Sequence, residues 1–164
     1  MTAQTWTNLE KEVLLQAIDE TSTTQMYALG KRIRASHATY GEGEFIYCKG
    51  VASTAIGDAV VYDNYNGATV RTVAASRGPL GIAMSANVAS QYGWYQIQGL
   101  AVCTVAASFA ADKPCFSTST AGTLDDAVVT GDKVDGAVSQ TAIATPSGSY
   151  AVIALNYPSM NGNG

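Results

Sequence analysis

From residue 43 onward the chain alternates between apolar and polar positions. In EFIYCKG, residues 44–50, Phe45, Tyr47 and Lys49 fall on one side and Ile46 and Cys48 on the other. That period of two is the signature of a strand. GDAVVYDNYNGATVRTVA then reads strand, turn, strand, with DNYNG supplying residues that tolerate tight-turn backbone angles. GPLGIAMS, YGWYQIQGLAVCTVA, KPCFSTST, GTLDDAVVT, DKVDGAVSQTA and SYAVIALN follow at short intervals, separated by Gly, Asn, Asp and Pro. Many short strands with such punctuation predict a mostly β fold, a small β-barrel or β-sandwich occupying residues 40–158. The last residues, 159–164, are rich in Gly and Asn and are expected to form a flexible tail.

The first thirty-nine residues follow a different pattern and predict an N-terminal helix and an extended arm. Thr7 is followed three positions later by Glu10, the spacing of a capping box. Trp6, Leu9, Val13 and Ala17, with Leu14 and Ile18 beside them, trace a helical stripe that predicts a helix from Trp6 to Glu20. A helix of three to four turns is marginal alone, so the stripe should dock on the β domain or on a neighbouring subunit. Residues 21–39 show no sustained period and contain Gly30, which suits an extended arm. The junction YGEGE, residues 40–44, reads as an elbow: Gly41 and Gly43 permit unusual backbone angles, and Tyr40 and Phe45 pin its two sides.

Composition sharpens this reading. Only 13% of residues are charged, roughly half the usual share, while 47% are hydrophobic, many of them alanines among Thr, Ser and Gly. Such a mixture favours sheets with small-residue packing and a surface covered by something else, as in a subunit of an assembly. The net charge of −4 speaks against a nucleic-acid surface, which needs a basic footprint. Lys31, Arg32 and Arg34 form one small basic cluster, either a solvated face or an anionic contact. Cys48, Cys103 and Cys115 are odd in number, lack zinc-like spacing and sit in apolar runs, so they are expected to be reduced thiols in a chain folded in the cytosol. The polar N-terminus has no secretory pattern, and no apolar run reaches membrane-spanning length.

Candidate chemistry is sparse, and no cofactor is expected. His37 is the only histidine and lies in the arm, where a solvated or interfacial role is the simplest. Glu42 and Glu44, two apart in an extended segment, point the same way, and Asp125–Asp126 is a second acidic pair. Either pair could mimic a hydrolytic carboxylate pair, and a small hydrolase using Glu42 or Asp126 is one reading. Junction chemistry, with pairing to Arg32 or Arg34, is the simpler one. DNYNGA places Tyr65 where a calcium loop needs an oxygen ligand and lacks the closing Glu, so a hairpin turn explains it. The aromatic run YGWY places Tyr92 and Trp94 on one strand face and Tyr95 on the other, with Trp94 expected in the core.

YGEGEFIYCKGVAST with GDAVVYD, then GPLGIAMS, YGWYQIQGLA and a late AGTLDD, resembles virion structural proteins of tailed bacteriophages. It is closest in style to capsid decoration, or cement, proteins, over about residues 27–158. The resemblance implies a small β-barrel or sandwich bound to the capsid exterior, made in the host cytoplasm and commonly trimeric. It implies the major capsid protein and copies of itself as partners, with no enzyme activity, nucleic acid or membrane involved. The contact surface would then comprise Trp6, Leu9 and Val13 of the stripe, Tyr27, Lys31, Arg32 and Arg34 of the arm, and Tyr40, Glu42 and Glu44 of the elbow. A tail-fibre or receptor-binding β module recognising host glycans is the alternative. A self-contained chain led by a helix and arm points away from it.

Overall fold

Where β-branched and aromatic residues alternate with polar ones, strands form, and they join into one open antiparallel sheet. The computed structural model describes residues 4–10 and 13–162. Within them the strands are β1 Thr7–Asn8, β2 Arg32–His37, β3 Gly41–Lys49, β4 Ala59–Tyr62, β5 Thr69–Arg71, β6 Gly78–Ala83, β7 Tyr92–Thr104, β8 Pro114–Ser117, β9 Leu124–Asp125, β10 Lys133–Ser139 and β11 Tyr150–Met160. Neighbours across the sheet run β1-β2-β3-β7-β6-β11-β10-β8-β9, with β4 beside β6 and β5 beside β4. Each run expected to be a strand from residue 44 onward contains one.

The long strand β7 organises the rest. Its first half pairs with β3 and β6 and its second half with β11, and Gln98 is opposite both Glu44 and Asn156. Strands β6 and β11 also pair with each other, through Pro79–Ser159 and Gly78–Met160. Three mutually bonded strands force the sheet to bend where they meet. Gly99 occupies that bend at φ +94°, and a Cβ there would overlap the Glu42 carbonyl oxygen. Only glycine meets both demands. Gly136, at φ +78°, sits opposite the bulge that residues 156–158 make in β11, where a Cβ would overlap the Asn156 carbonyl oxygen.

Side chains bury in three clusters. The largest lies between β4, β6, β7, β10 and β11, with Leu80, Ile82, Phe109, Leu124, Ile153 and Leu155 at its heart. Strand β3 separates the other two. Phe45 and Tyr47 join Trp94, Ile33 and Ile18 on one face, while Ile46 and Cys48 join Val60, Tyr95 and Ile97 on the other. The alternation in EFIYCKG thus serves two cores rather than a core and solvent.

The expected N-terminal helix is not formed, and among the described residues there is no helix at all. Lys11 and Glu12, which fall inside the expected span, lie outside the described residues. Thr7 and Asn8 pair instead with Ser36 and Ala35 at the edge of β2. The Asn8 carboxamide oxygen accepts the Glu10 amide at 3.0 Å, which closes a local turn where a capping box was expected. Residues 13–20 are irregular, with bends at 15–16 and a turn at 18–19, and they bury Gln16 and Ile18 while Val13 and Leu15 face solvent. A marginal helix lost to edge pairing and to burial against an aromatic sheet face.

The elbow at residues 40–44 is the turn and first residues of a hairpin, β2–β3, with Gly41 at φ +72°. Residues 32–37 of the expected arm are therefore a paired strand of the main sheet. At the other end, β11 continues through Ser159 and Met160, and Met160 is buried. The expected tail thus begins with two paired residues.

Candidate interaction surface

The β2–β3 hairpin presents alternate faces. Its inner face carries Ile33, Ala35, Phe45 and Tyr47 into an aromatic core, and its outer face carries Arg32, Arg34, Glu42 and Glu44. On the outer face Arg34 pairs with Glu42, and Arg32 lies 3.6 Å from Glu44. The Tyr157 hydroxyl, from β11, donates to Glu44 Oε2 at 2.6 Å. That bond to a carboxylate raises the Tyr157 pKa, because ionising the phenol would remove the donor. Pairs this exposed contribute about 0–1 kcal/mol each, so they shape a charge-alternating surface more than they hold the fold. Glu10, Arg32, Arg34 and Glu44 bound a shallow hollow of about 220 Å³ beside them.

Across the inner face lie residues 6–10 and 13–29. Trp6 packs edge-on against Phe45 at 4.9 Å, and Tyr27 lies 5.3 Å from Trp94 and 5.4 Å from Tyr47. Gln16 fastens the segment. Its Nε2 donates to the Glu20 and Tyr92 carbonyls at 2.9 and 2.8 Å, and its Oε1 accepts the Tyr47 hydroxyl at 2.6 Å. The Trp94 indole N–H donates to the Gln16 carbonyl at 3.1 Å. A buried amide with every group paired costs little and fixes position. Outside this strap the side chains of Leu9, Val13, Leu15 and Met26 are exposed, Val13 at 88% and Leu15 at 62%.

The residues singled out from sequence are therefore spread over several places. Arg32, Arg34, Glu42 and Glu44 share the outer hairpin face. Trp6 and Tyr27 lie within the aromatic core, with Lys31 Nζ 5.9 Å over the Tyr27 ring. Tyr40 stacks on His37 at 4.8 Å, and His37 in turn packs on Trp6. Leu9 and Val13 are the ones left facing outward. Gln16 escaped sequence reading, although Leu14, Gln16 and Ile18 already stood at strand spacing. Tyr157 carried no local signal, since its partner lies 113 residues away. Trp94 is fully buried, as its alternation suggested.

Elsewhere, Cys48, Cys103 and Cys115 are free, buried thiols. Burial pushes the Cys48 and Cys115 pKa values up to about 12 and raises that of Cys103 well above the ordinary value. Among the described residues no three His, Cys, Asp or Glu side chains gather closely enough to hold a metal ion, and no helix is long and apolar enough to cross a membrane. Asp126 accepts the Ala110 amide, and Glu42 is committed to Arg34. No protein-family model, curated protein or solved structure matches the chain.

Proposed function

We propose that this chain is a non-enzymatic virion structural protein, a decoration subunit that binds the outside of a tailed-phage head and stabilises the expanded shell. The observation that carries the reading is the strap. Its inner side is fastened to the aromatic core by Gln16, and Leu9, Val13 and Leu15 are exposed. Scattered exposed apolar residues need no explanation, but several on one fastened segment suit a contact surface. The Arg and Glu pairs of the β2–β3 hairpin lie on the opposite face from the strap and form a separate, charge-alternating surface. Partners on this reading are the major capsid protein and copies of the chain itself, as a trimer.

A subunit that binds only the expanded lattice stabilises it by mass action, and repetition over the shell multiplies a modest affinity. Three unreactive buried thiols are in keeping with assembly in a reducing host cytoplasm. The mutual pairing of β6, β7 and β11 supports a sheet curled into a small β-barrel or sandwich.

Light scattering on the purified chain, followed by sedimentation with emptied, expanded phage heads, tests the proposal. The expected result is a trimer that pellets with the heads in fixed stoichiometry. The double variant Val13→Asp, Leu15→Asp should keep its melting temperature and remain in the supernatant. A monomer that ignores the heads overturns the reading.

A further inference from the structure

The β4–β5 hairpin carries a feature unrelated to the strap. On the face where Val61 and Val70 stand opposite each other lies an open groove of about 560 Å³. Its floor is apolar, made by Val61, Val70 and Pro79. Its rim is polar and aromatic, made by Asp63, Asn64 and Tyr65 of the turn, with Arg77 also lining it. Tyr65 is 96% exposed, the most exposed large hydrophobic side chain among the described residues, and no core cluster uses its ring.

The turn that presents this ring is well ordered by its own hydrogen bonds. The Tyr65 amide donates to Asp63 Oδ1 at 2.7 Å, the Gly67 amide to the Asp63 carbonyl at 2.8 Å, and the Ala68 amide to Asn66 Oδ1 at 2.8 Å. Arg77 is held as well: its Nη1 donates to the Ser76 and Gly131 carbonyls at 2.7 and 3.1 Å. The groove thus has an ordered turn along its rim and holds Asp63 and Arg77 in place, and its volume is within the range of small-molecule sites.

We propose that this groove binds a neutral saccharide of about two or three units. A pyranose has a C–H face that packs on an aromatic ring, and around its edge are hydroxyls that each donate and accept. The groove supplies the matching parts: the Tyr65 ring, a narrow apolar floor, the Asp63 carboxylate as acceptor, the Asn64 amide as both, and the Arg77 guanidinium as donor. One carboxylate and one guanidinium cancel, so neither a cationic nor an anionic ligand is favoured. A protein partner would look for a broader apolar centre with desolvated anchors, which three small floor residues do not provide. An open groove of this kind binds weakly, with Kd on the order of 1 mM. The site does not rest on the head-binding proposal.

The test is an NMR titration of the isotope-labelled full chain with maltotriose, mannotriose, cellotriose and triacetylchitotriose, each to about 20 mM to approach saturation of millimolar binding. The expected result is that at least one trisaccharide shifts the amides of residues 61–79 and few others. Tyr65→Ala should weaken that binding about tenfold or more without changing the melting temperature, because the ring is exposed. The proposal is overturned if none of the four shifts these amides, or if the shifts survive Tyr65→Ala unchanged. It is also overturned if the sugars fail while Tyr65→Ala abolishes sedimentation with heads, which would make the groove a protein contact.

Discussion

Asp58 is a carboxylate with 2% of its surface exposed, placed immediately before β4. A buried charge needs partners, and Asp58 has two: the Ala55 amide at 3.0 Å and Arg71 Nε at 2.7 Å. Arg71 is tied down in turn by the Ala121 carbonyl at 2.9 Å. Burial nevertheless outweighs these bonds and raises the Asp58 pKa above the ordinary carboxylate value. A raised folded-state pKa means the folded protein binds the proton more tightly than the unfolded chain does. Stability from this site is therefore fully present below the unfolded value and is lost as pH rises through the folded value. Wild type should gain stability relative to Asp58→Asn on mild acidification from neutral pH, with the gain levelling off in the ordinary carboxylate range. Urea unfolding of both proteins across that interval measures it. A difference that is flat, or that shrinks on acidification, would show that the ion pair with Arg71 dominates.

At the scale of elements, the strap is the decisive segment. Gln16→Ala leaves the buried Tyr47 hydroxyl without its acceptor and the Glu20 carbonyl without its side-chain donor, while the Tyr92 carbonyl keeps the Ser22 amide at 3.0 Å. The expected cost is about 1–3 kcal/mol by chemical denaturation. Hydrogen exchange should quicken at the Leu15 and Met26 amides, which donate to Tyr27 and Tyr47. Unchanged exchange there would mean that aromatic packing alone holds the strap. The strands themselves were legible because alternation and turn residues are local: DNYNG between two apolar runs is the β4–β5 turn, and EFIYCKG is β3. The strap was not legible, because Trp6, Leu9 and Val13 match a helical stripe as well as any helix would. What decided against it was the open edge of β2 and the aromatic face of β3 and β7, neither of which is visible in the segment's own residues.

For the whole molecule, the chain before β2 and the sheet behave as one packing unit. Ile18 is buried with Phe45, Tyr47 and Trp94, and Trp6, Leu14, Tyr27 and Leu29 pack around them. Removing residues 1–31 would bare that aromatic face, so the truncated chain should be poorly soluble or unfolded, read by expression yield and near-ultraviolet circular dichroism. A soluble, cooperatively melting fragment would instead make the strap a separable arm. Of the candidate surface, sequence spacing alone placed Glu42 and Glu44 on one side and brought Arg32 and Arg34 into the discussion. It had no access to Tyr157, which reaches Glu44 only because β11 bends past β7. The sequence by itself determined the β character, the turn positions and the two-faced loading of β3 and β7, since each depends on residues within a few positions of one another. Only the tertiary structure decided that the N-terminal segment is a strap rather than a helix, which of its apolar residues face outward, and how three strands share one bend. Those outcomes depend on contacts between segments tens of residues apart, where the burial available elsewhere outweighs local preference.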